Sequence, residues 1–213
     1  MRKRETLIFS LLLCSMGMVS APMRAATILF TDNFPDSDNL NAGPTIGDFT
    51  VTAGCVDGIQ AGRFGLSLPS VDLDGTCYEL GTITSTSAIH FSPGSTYTLA
   101  FEYSSNNNTT TAVNTAQVTL GTLVDTTITG IANTPQAFSD TFSVGSPTNL
   151  SLSFQELGVS DNEGVVVSDI SIVENAASTA VPEPGATGFG LGCMGAFILC
   201  TRRWRKRRIA KDL

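Results

Sequence analysis

The chain has 213 residues, a net charge of −7 and 42% hydrophobic residues. Its bases lie almost entirely at the two ends: positions 26 to 180 hold one base, Arg63, against sixteen acids, a net charge of about −15. A surface this acidic repels phosphate backbones and anionic lipid, which excludes nucleic acid as a partner of this segment.

Residues 1–25 are predicted to be a signal peptide. Three bases at positions 2–4 precede an apolar run from Leu7 to Val19, the order of a secretory signal. Cleavage is expected after Ala25, so the Sec machinery and signal peptidase are predicted partners. An uncleaved N-terminal anchor is the alternative, but the apolar run is shorter than the roughly 20 residues that span a bilayer.

Residues 26–174 are predicted to be one all-β domain. In STYTLAFEY, at 95–103, apolar side chains occupy every second position, which is typical of a half-buried strand. In VVVSDISIV, at 165–173, the same alternation places Val166, Ile170 and Ile172 on one predicted face. Further predicted strands are ATILF 26–30, DFTVT 48–52, RFGLSL 63–68, YELGTITS 78–85, AQVTLGTLV 116–124, QAFSDTFSV 136–144 and TNLSLSF 148–154.

Polar turn sequences separate these strands, and helical periodicity is missing from the segment. Eight to ten short strands of this kind predict an antiparallel β-sandwich. Two cysteines, Cys55 and Cys77, lie in the segment. In an exported chain such a pair favours one disulfide, with two buried free thiols as the alternative.

Three short sequences carry a family resemblance: VDLDG at 71–75, SPGSTYTLAF at 92–101 and SDISIV at 168–173. In this order they resemble strands of the galactose-binding-like jelly rolls of exported bacterial proteins. The resemblance implies a jelly-roll fold and a structural calcium between the first and last strands, where Asp32 and Asp169 would be ligands with Asn33 nearby. A shared fold does not by itself assign a function.

The sequence favours a protein without enzymatic activity. The segment has one histidine, His90, and no GxSxG motif to supply a nucleophile. A glycoside hydrolase using two carboxylates is a distant third hypothesis. A lectin-like, glycan-binding module is the main alternative, and Tyr78 is then the aromatic residue expected to bind sugar. No cofactor is predicted beyond this one calcium ion. The sequence DLDG at 72–75 resembles the start of an EF-hand loop, but position 83, where the motif requires Glu, is Ile.

The C-terminal part is predicted to be a linker followed by a membrane segment. Residues 175–180 are small and polar, and the motif Val181-Pro182-Glu183-Pro184 follows them. The two prolines disfavour helix and hold the motif extended. Residues 185–201 are uncharged and predict a transmembrane helix of about 26 Å. A basic stop-transfer tail follows at 202–208, formed by Arg202, Arg203, Arg205, Lys206, Arg207 and Arg208.

This order of motif, spanning segment and arginines resembles the PEP-CTERM sorting signal of Gram-negative bacteria. The resemblance implies that exosortase, a membrane-embedded transpeptidase, recognises residues 181–184 and removes the tail. The protein is therefore expected to cross the inner membrane, to be anchored transiently, and to end at the cell surface or in the extracellular matrix. A structural or interaction role linked to exopolysaccharide is the main functional hypothesis, and a permanent single-pass anchor is the alternative for the tail.

Removal of the tail can be tested by intact-mass measurement of protein from its own host. The mature chain is expected to end near Pro184 and to lack Trp204. Alanine at Pro182, Glu183 and Pro184 should leave a full-length, membrane-held form, because the extended motif is lost. Wild-type protein that retains residues 190–213 would contradict sorting and support the permanent anchor.

Overall fold

We describe a computed structural model of the chain over residues 25–35, 38–106 and 113–175. These residues belong to one compact unit, Met23–Ala177. Their regular structure is entirely β-strand. The strands are β1 Thr27–Asp32, β2 Thr45–Ile46, β3 Phe49–Ala53, β4 Asp57–Ile59, β5 Ser70–Asp72, β6 Thr82–Ser85, β7 Ile89–Phe91, β8 Thr96–Ser105, β9 Asn114–Leu120, β10 Val124–Gly130, β11 Gln136–Ser143, β12 Thr148–Leu150, β13 Leu152–Glu156 and β14 Val165–Glu174.

The strands form two six-stranded sheets and one small pair. Sheet A has the order β11-β8-β14-β5-β4, and β1 also pairs with β14. Sheet B has the order β10-β9-β13-β6-β3-β2, and β12 pairs with β7. Every pairing of these strands is antiparallel. The all-β, antiparallel prediction is confirmed for the described residues.

The predicted signal peptide, sorting motif, spanning helix and basic tail lie outside the described residues. Within the described ranges no helix has the length and apolar character needed to cross a membrane.

The hydrophobic core lies between the two sheets. Phe101 of sheet A meets Phe154 of sheet B with ring centroids 5.1 Å apart, and Phe154 also contacts Phe49 at 6.0 Å. All three rings are buried, as the alternation of β8 predicts for Phe101. Truncating a buried Phe of this kind to Ala typically lowers the free energy of unfolding by about 3–5 kcal/mol. Aromatic packing therefore holds the sheets face to face.

Four predicted strands differ from the structure. In the segment 78–85 only β6, Thr82–Ser85, is a strand, and residues 78–81 belong to the preceding loop. Residues 63–68 form no strand, because Phe64 and Gly65 have positive φ angles of 50° and 80° that belong to turns. The segment 116–124 contains a turn at Gly121 and is divided between β9 and β10. The segment 148–154 is divided between β12 and β13, which lie in different sheets.

A bulge in β14 overturns the predicted face of that strand. The pairing of β14 with β8 shifts between Ser168 and Ser171, and Asp169 within this interval has φ 49°. The extra residue reverses the alternation, so Val165 and Val167 join Ile170 and Ile172 in the core. Val166 was predicted to share the face of Ile170 and is instead on the opposite one.

The predicted disulfide between Cys55 and Cys77 is present, with a Cα–Cα distance of 6.3 Å. It joins the β3–β4 connection to the loop that precedes β6. The same two segments approach closely at Gly81, where a Cβ atom would lie 2.5 Å from the carbonyl oxygen of Cys55.

We predict that replacing both Cys55 and Cys77 with Ser lowers the free energy of unfolding by about 3 kcal/mol, because the unfolded chain regains the entropy of the opened loop. Urea unfolding of oxidised wild type, reduced wild type and the double variant measures this. Reduced wild type should match the variant, and thiol labelling of both cysteines in exported protein would contradict the bond.

Candidate functional site

The outer face of sheet B is almost wholly made of uncharged polar side chains. Strand alternation turns every second residue of β3, β6, β9, β10 and β13 away from the core. Apart from Ala53 these outward residues are Thr, Ser or Gln, with Asp125 as the one charge. We call the set the threonine face: Thr50, Thr52, Thr82, Thr84, Thr115, Gln117, Thr119, Asp125, Thr127, Thr129, Ser153 and Gln155.

Register places these side chains in rows across the sheet. One row runs Thr119, Ser153, Thr84 and Thr50 over four neighbouring strands. Strands lie about 4.8 Å apart, so each hydroxyl in a row has a neighbour on the next strand. The row crosses four strands, so an extended polymer lying across the strands could contact all four side chains.

Hydrogen bonds within the face fix the hydroxyl orientations. Thr84 Oγ1 lies 3.1 Å from Ser153 Oγ, and Ser153 Oγ donates to the carbonyl oxygen of Ile83 at 3.0 Å. Thr127 Oγ1 donates to Gln117 Oε1 at 3.0 Å, and the amide nitrogen of Gln117 donates to Asp125. Each hydroxyl still has lone pairs for a ligand. The face thus offers donors and acceptors that are already oriented.

The sequence contains the signal for this face, although we did not predict a site from it. The strands read TVT, TIT, NTAQVT and DTTIT, so threonine alternates with core residues in successive strands. Threonine is common in strands for its β-branched side chain alone, so the pattern indicates half-buried strands more strongly than a ligand.

Tyr78, the residue predicted to bind sugar, lies in a loop rather than on a sheet face. Its side chain is 67% exposed, and its backbone has φ 62°. Register places this loop at the end of the sandwich where β3 and β4 meet and β6 begins. Tyr78 is therefore accessible, and it lies in a loop rather than among the outward residues of sheet B.

The same end of the sandwich carries most of the exposed apolar side chains that the structure describes. By register, this end of the sandwich includes the loops that precede β4, β6, β9, β11 and β14. Those loops hold five of the seven large apolar residues that are strongly exposed, Tyr78, Val113, Ile131, Leu157 and Val159, and a sixth, Leu40, lies in the β1–β2 connection next to the bridge between Asn39 and Gly58 of β4.

Buried carboxylates hold these loops in place. Asp57 accepts backbone N–H bonds from Asn41 at 2.6 Å and from Thr76 at 3.1 Å, which joins two loops. Asp74 accepts the N–H groups of Asp161 and Asn162, each at 2.8 Å. A carboxylate that accepts several N–H groups fixes a loop without needing a cation.

Glu156 and Asp72 lie in the same buried group. Glu156 accepts the N–H of Val165 at 2.8 Å and that of Gly158 at 3.2 Å. Burial nevertheless raises the pKa of Glu156 to about 7. The negative charge of Asp74 also acts to raise this pKa, whereas the two N–H bonds act to lower it. Burial also raises the pKa of Asp72 well above its usual range, opposed by bonds from Asp74 N–H and the Asn106 amide. Both shifts favour the protonated, uncharged form of these two carboxyls.

The two predicted calcium ligands occupy adjoining positions but differ in environment. Asp32 pairs in register with Ile170, the neighbour of Asp169. Its carboxylate is buried and already accepts N–H bonds from Phe34 at 2.7 Å and from Asp48 at 2.6 Å. Burial raises the pKa of Asp32. Asp169 is exposed.

Calcium requires six to eight oxygen ligands, several of them carboxylates. Among the described residues no group of three or more His, Cys, Asp or Glu side chains could hold a metal ion. The calcium hypothesis, with Asp32 and Asp169 as ligands, stays a prediction.

His90 forms a hydrogen-bonded chain that the sequence did not indicate. Its Nδ1 lies 2.9 Å from Asn149 Oδ1, and its Nε2 lies 3.3 Å from Ser92 Oγ. This order resembles a nucleophile, a base and an orienting group. However, the Ser92 N–H already donates to Tyr97 Oη at 2.8 Å, so it is not free to stabilise an oxyanion. All three polar side chains are exposed, and we assign them no hydrolytic role.

No family model matches the chain, and no curated protein matches it in sequence. Solved structures with similar folds include carbohydrate-binding modules. The CBM22-1 xylan-binding domain of Paenibacillus barcinonensis Xyn10C is 9% identical, with a TM-score of 0.42 over 72% of this chain and 97% of that one. The N-terminal cellulose-binding domain of Cellulomonas fimi β-1,4-glucanase C is 16% identical, with a TM-score of 0.38 over 73% and 98%.

A bacterial toxin is also similar. Cry4Aa of Bacillus thuringiensis is 12% identical, with a TM-score of 0.40 over 56% of this chain and 21% of the toxin. Likenesses at this level carry no argument about this chain.

The raised pKa of the buried Glu156 carboxyl predicts that the stability of the fold depends on pH. Its ordinary value is 4.5 and its folded value is about 7, so the native state binds more protons between these pH values. The free energy of unfolding should therefore fall by about 3 kcal/mol in total as pH rises from 4.5 through 7, and the fall ends once Glu156 is fully ionised above pH 7. Urea unfolding at several pH values measures the slope.

Glu156→Gln should reduce this slope, because the amide does not ionise, although Asp72 contributes a slope of the same sign. Gln155→Asn, at the exposed neighbouring position on β13, changes no ionisable group and is the matched control, which should leave the slope unchanged. An identical slope in wild type and Glu156→Gln would show that Glu156 does not titrate in this range.

Proposed function

We propose that this chain is an exported, non-enzymatic module that binds a neutral polysaccharide through the threonine face of sheet B. The observation that carries the proposal is the row of hydroxyl side chains across Thr119, Ser153, Thr84 and Thr50. Sugar hydroxyls donate and accept hydrogen bonds, and such a row can meet them at successive units of a chain.

Charge supports the choice of a neutral ligand. The described residues contain one base, Arg63, and it belongs to the β4–β5 connection rather than to the threonine face. An anionic polymer would find no cation on this face and would be repelled by the acidic body. A neutral polymer meets one carboxylate, Asp125, which accepts hydroxyl hydrogens.

The sorting signal supports an extracellular site of action for this binding. The motif Val181-Pro182-Glu183-Pro184 lies outside the described residues, and its role rests on the sequence resemblance. A module sorted by exosortase to the cell surface or matrix would meet exopolysaccharide there. We therefore favour the glycan-binding hypothesis over a purely structural role, and we place the polysaccharide on sheet B rather than on Tyr78.

The proposal predicts that a triple variant, Thr84→Val, Thr119→Val and Ser153→Ala, binds neutral polysaccharide at least tenfold more weakly than wild type. Each lost hydrogen bond is worth about 1 kcal/mol, and valine keeps the shape and strand preference of threonine. Depletion onto insoluble xylan, cellulose and β-1,3-glucan, using the full chain in detergent, measures the affinity.

Thr141→Val is the matched control. Thr141 lies on β11 of sheet A and has a comparable hydroxyl contact, 3.1 Å to Thr98 Oγ1. It should bind as wild type does, and added salt should not change binding because no ion pair is involved. Unaltered affinity in the triple variant, or binding that salt abolishes, would refute the threonine face as the site.

A further inference from the structure

The connection between β4 and β5, residues 60–69, crosses the outer face of sheet A. We call it the strap. At its middle a Cβ atom on Gly65 would lie 2.6 Å from the Asn133 carbonyl oxygen and 2.9 Å from Pro135 Cδ, just before β11. Since the strand order is β11-β8-β14-β5-β4, the strap passes over β14 and β8 to reach the opposite edge.

The strap seals a second buried layer. Val165 and Val167 point into the core between the sheets, so Val166 points to the outer face. Val166 is nevertheless fully buried, and so is Leu66 of the strap. Neither residue belongs to the core between the sheets. A covering segment must therefore exclude water from this face, and the strap is in position to do so.

Three serine hydroxyls are enclosed in this layer. Ser70 and Ser168 lie directly opposite each other on β5 and β14, and Ser104 lies opposite Val166 on β8. All three residues are fully buried, and their hydroxyl oxygens have no hydrogen-bond partner. A buried polar group without a partner typically destabilises a fold by about 1–3 kcal/mol. Alanine would fill the same space without this penalty.

The chemistry around the serines indicates a neutral, hydroxyl-bearing ligand. Glu102 lies opposite Ser168 in the same row and provides an acceptor. The one base of the described residues, Arg63, is exposed and lies 3.8 Å from Asp38, so it offers no binding partner for an anion beneath the strap. Serine hydroxyls both donate and accept, as sugar hydroxyls do.

We propose that the strap covers a second saccharide site, where Ser70, Ser104 and Ser168 hydrogen-bond a neutral sugar unit when the strap is displaced. The ligand class matches that of the proposed function, but the surface is different and does not depend on the threonine face. The contact of Gly65 with residues 133–135 keeps the site closed. Ligand binding and strap contact compete, so weakening the contact tightens binding.

The first test replaces the hydroxyls. Ser70→Ala with Ser168→Ala should leave the melting temperature unchanged or raise it, because the removed hydroxyls have no partner in the closed state. The same variant should bind glucose, galactose, xylose or cellobiose at least tenfold more weakly. Saturation-transfer NMR on the full chain, in the background of the threonine-face triple variant, isolates this site from sheet B.

The second test weakens the strap. Gly65→Ala places a methyl group against Asn133 and Pro135, and it should increase saccharide affinity severalfold and accelerate amide exchange in residues 60–69. Gly62→Ala is the matched control: its φ of 81° is strained for alanine in the same way, but nothing lies within 4 Å of its Cβ position. Its affinity should stay at the unsubstituted level.

Three results would overturn the proposal. One is a serine double variant that is less stable, as expected if the hydroxyls bind buried water. Another is equal affinity in Gly65→Ala and Gly62→Ala. The third is the absence of saccharide binding in the triple-variant background with the strap weakened. Failure of the threonine face alone would leave this site unaffected, which keeps the two proposals distinguishable.

Discussion

The structure depends on backbone N–H groups that hydrogen-bond to buried carboxylates. Arg63 is the one base among the described residues, so few of the carboxylates there can pair with a base from the same ranges. Asp57, Asp74 and Glu156 are instead buried at one end of the sandwich, and each accepts two backbone N–H bonds from loops distant in sequence or from its own turn. These hydrogen bonds hold the loops in place, and they also replace the water that the carboxylates lose on burial.

This arrangement separates the regions that carry stability from those available for binding. The loop end is held by acids, the disulfide and close glycine contacts, and its exposed residues are scattered apolar side chains. The two outer sheet faces differ from this loop end. The threonine face presents polar groups to solvent, and the strap covers the outer face of sheet A. The two outer faces therefore differ in access although both rest on the same core.

Much of the fold was accessible from alternation in the sequence. The period of two in STYTLAFEY correctly placed Tyr97, Leu99 and Phe101 in the core, and exported character correctly favoured the Cys55–Cys77 bond. Alternation in RFGLSL predicts a strand over 63–68, but Phe64 and Gly65 have left-handed backbones, and Gly65 packs closely against Asn133 and Pro135. The face of Val166 was wrong because a bulge adds one residue, which periodicity alone does not reveal.

The candidate sites were harder to predict than the fold. Tyr78 was favoured because aromatic rings are familiar sugar platforms, yet the face with the densest hydrogen-bonding groups contains no ring. Threonine at alternate positions has an ordinary explanation in strand preference, so only register shows that the hydroxyls of four strands form one row. The buried serines could not be identified at all without the strap, since Ser70, Ser104 and Ser168 are far apart in sequence.

The place of Arg63 on the strap has a consequence for the durability of the protein outside the cell. A trypsin-like protease cuts after Lys or Arg, and within the described residues Arg63 is the one such position. Its side chain is 54% exposed, so the single point of attack lies on the strap. Arg63 also lies between Cys55 and Cys77 in sequence. A cut there would therefore leave two pieces joined by the disulfide, and the nicked protein would remain one covalent molecule.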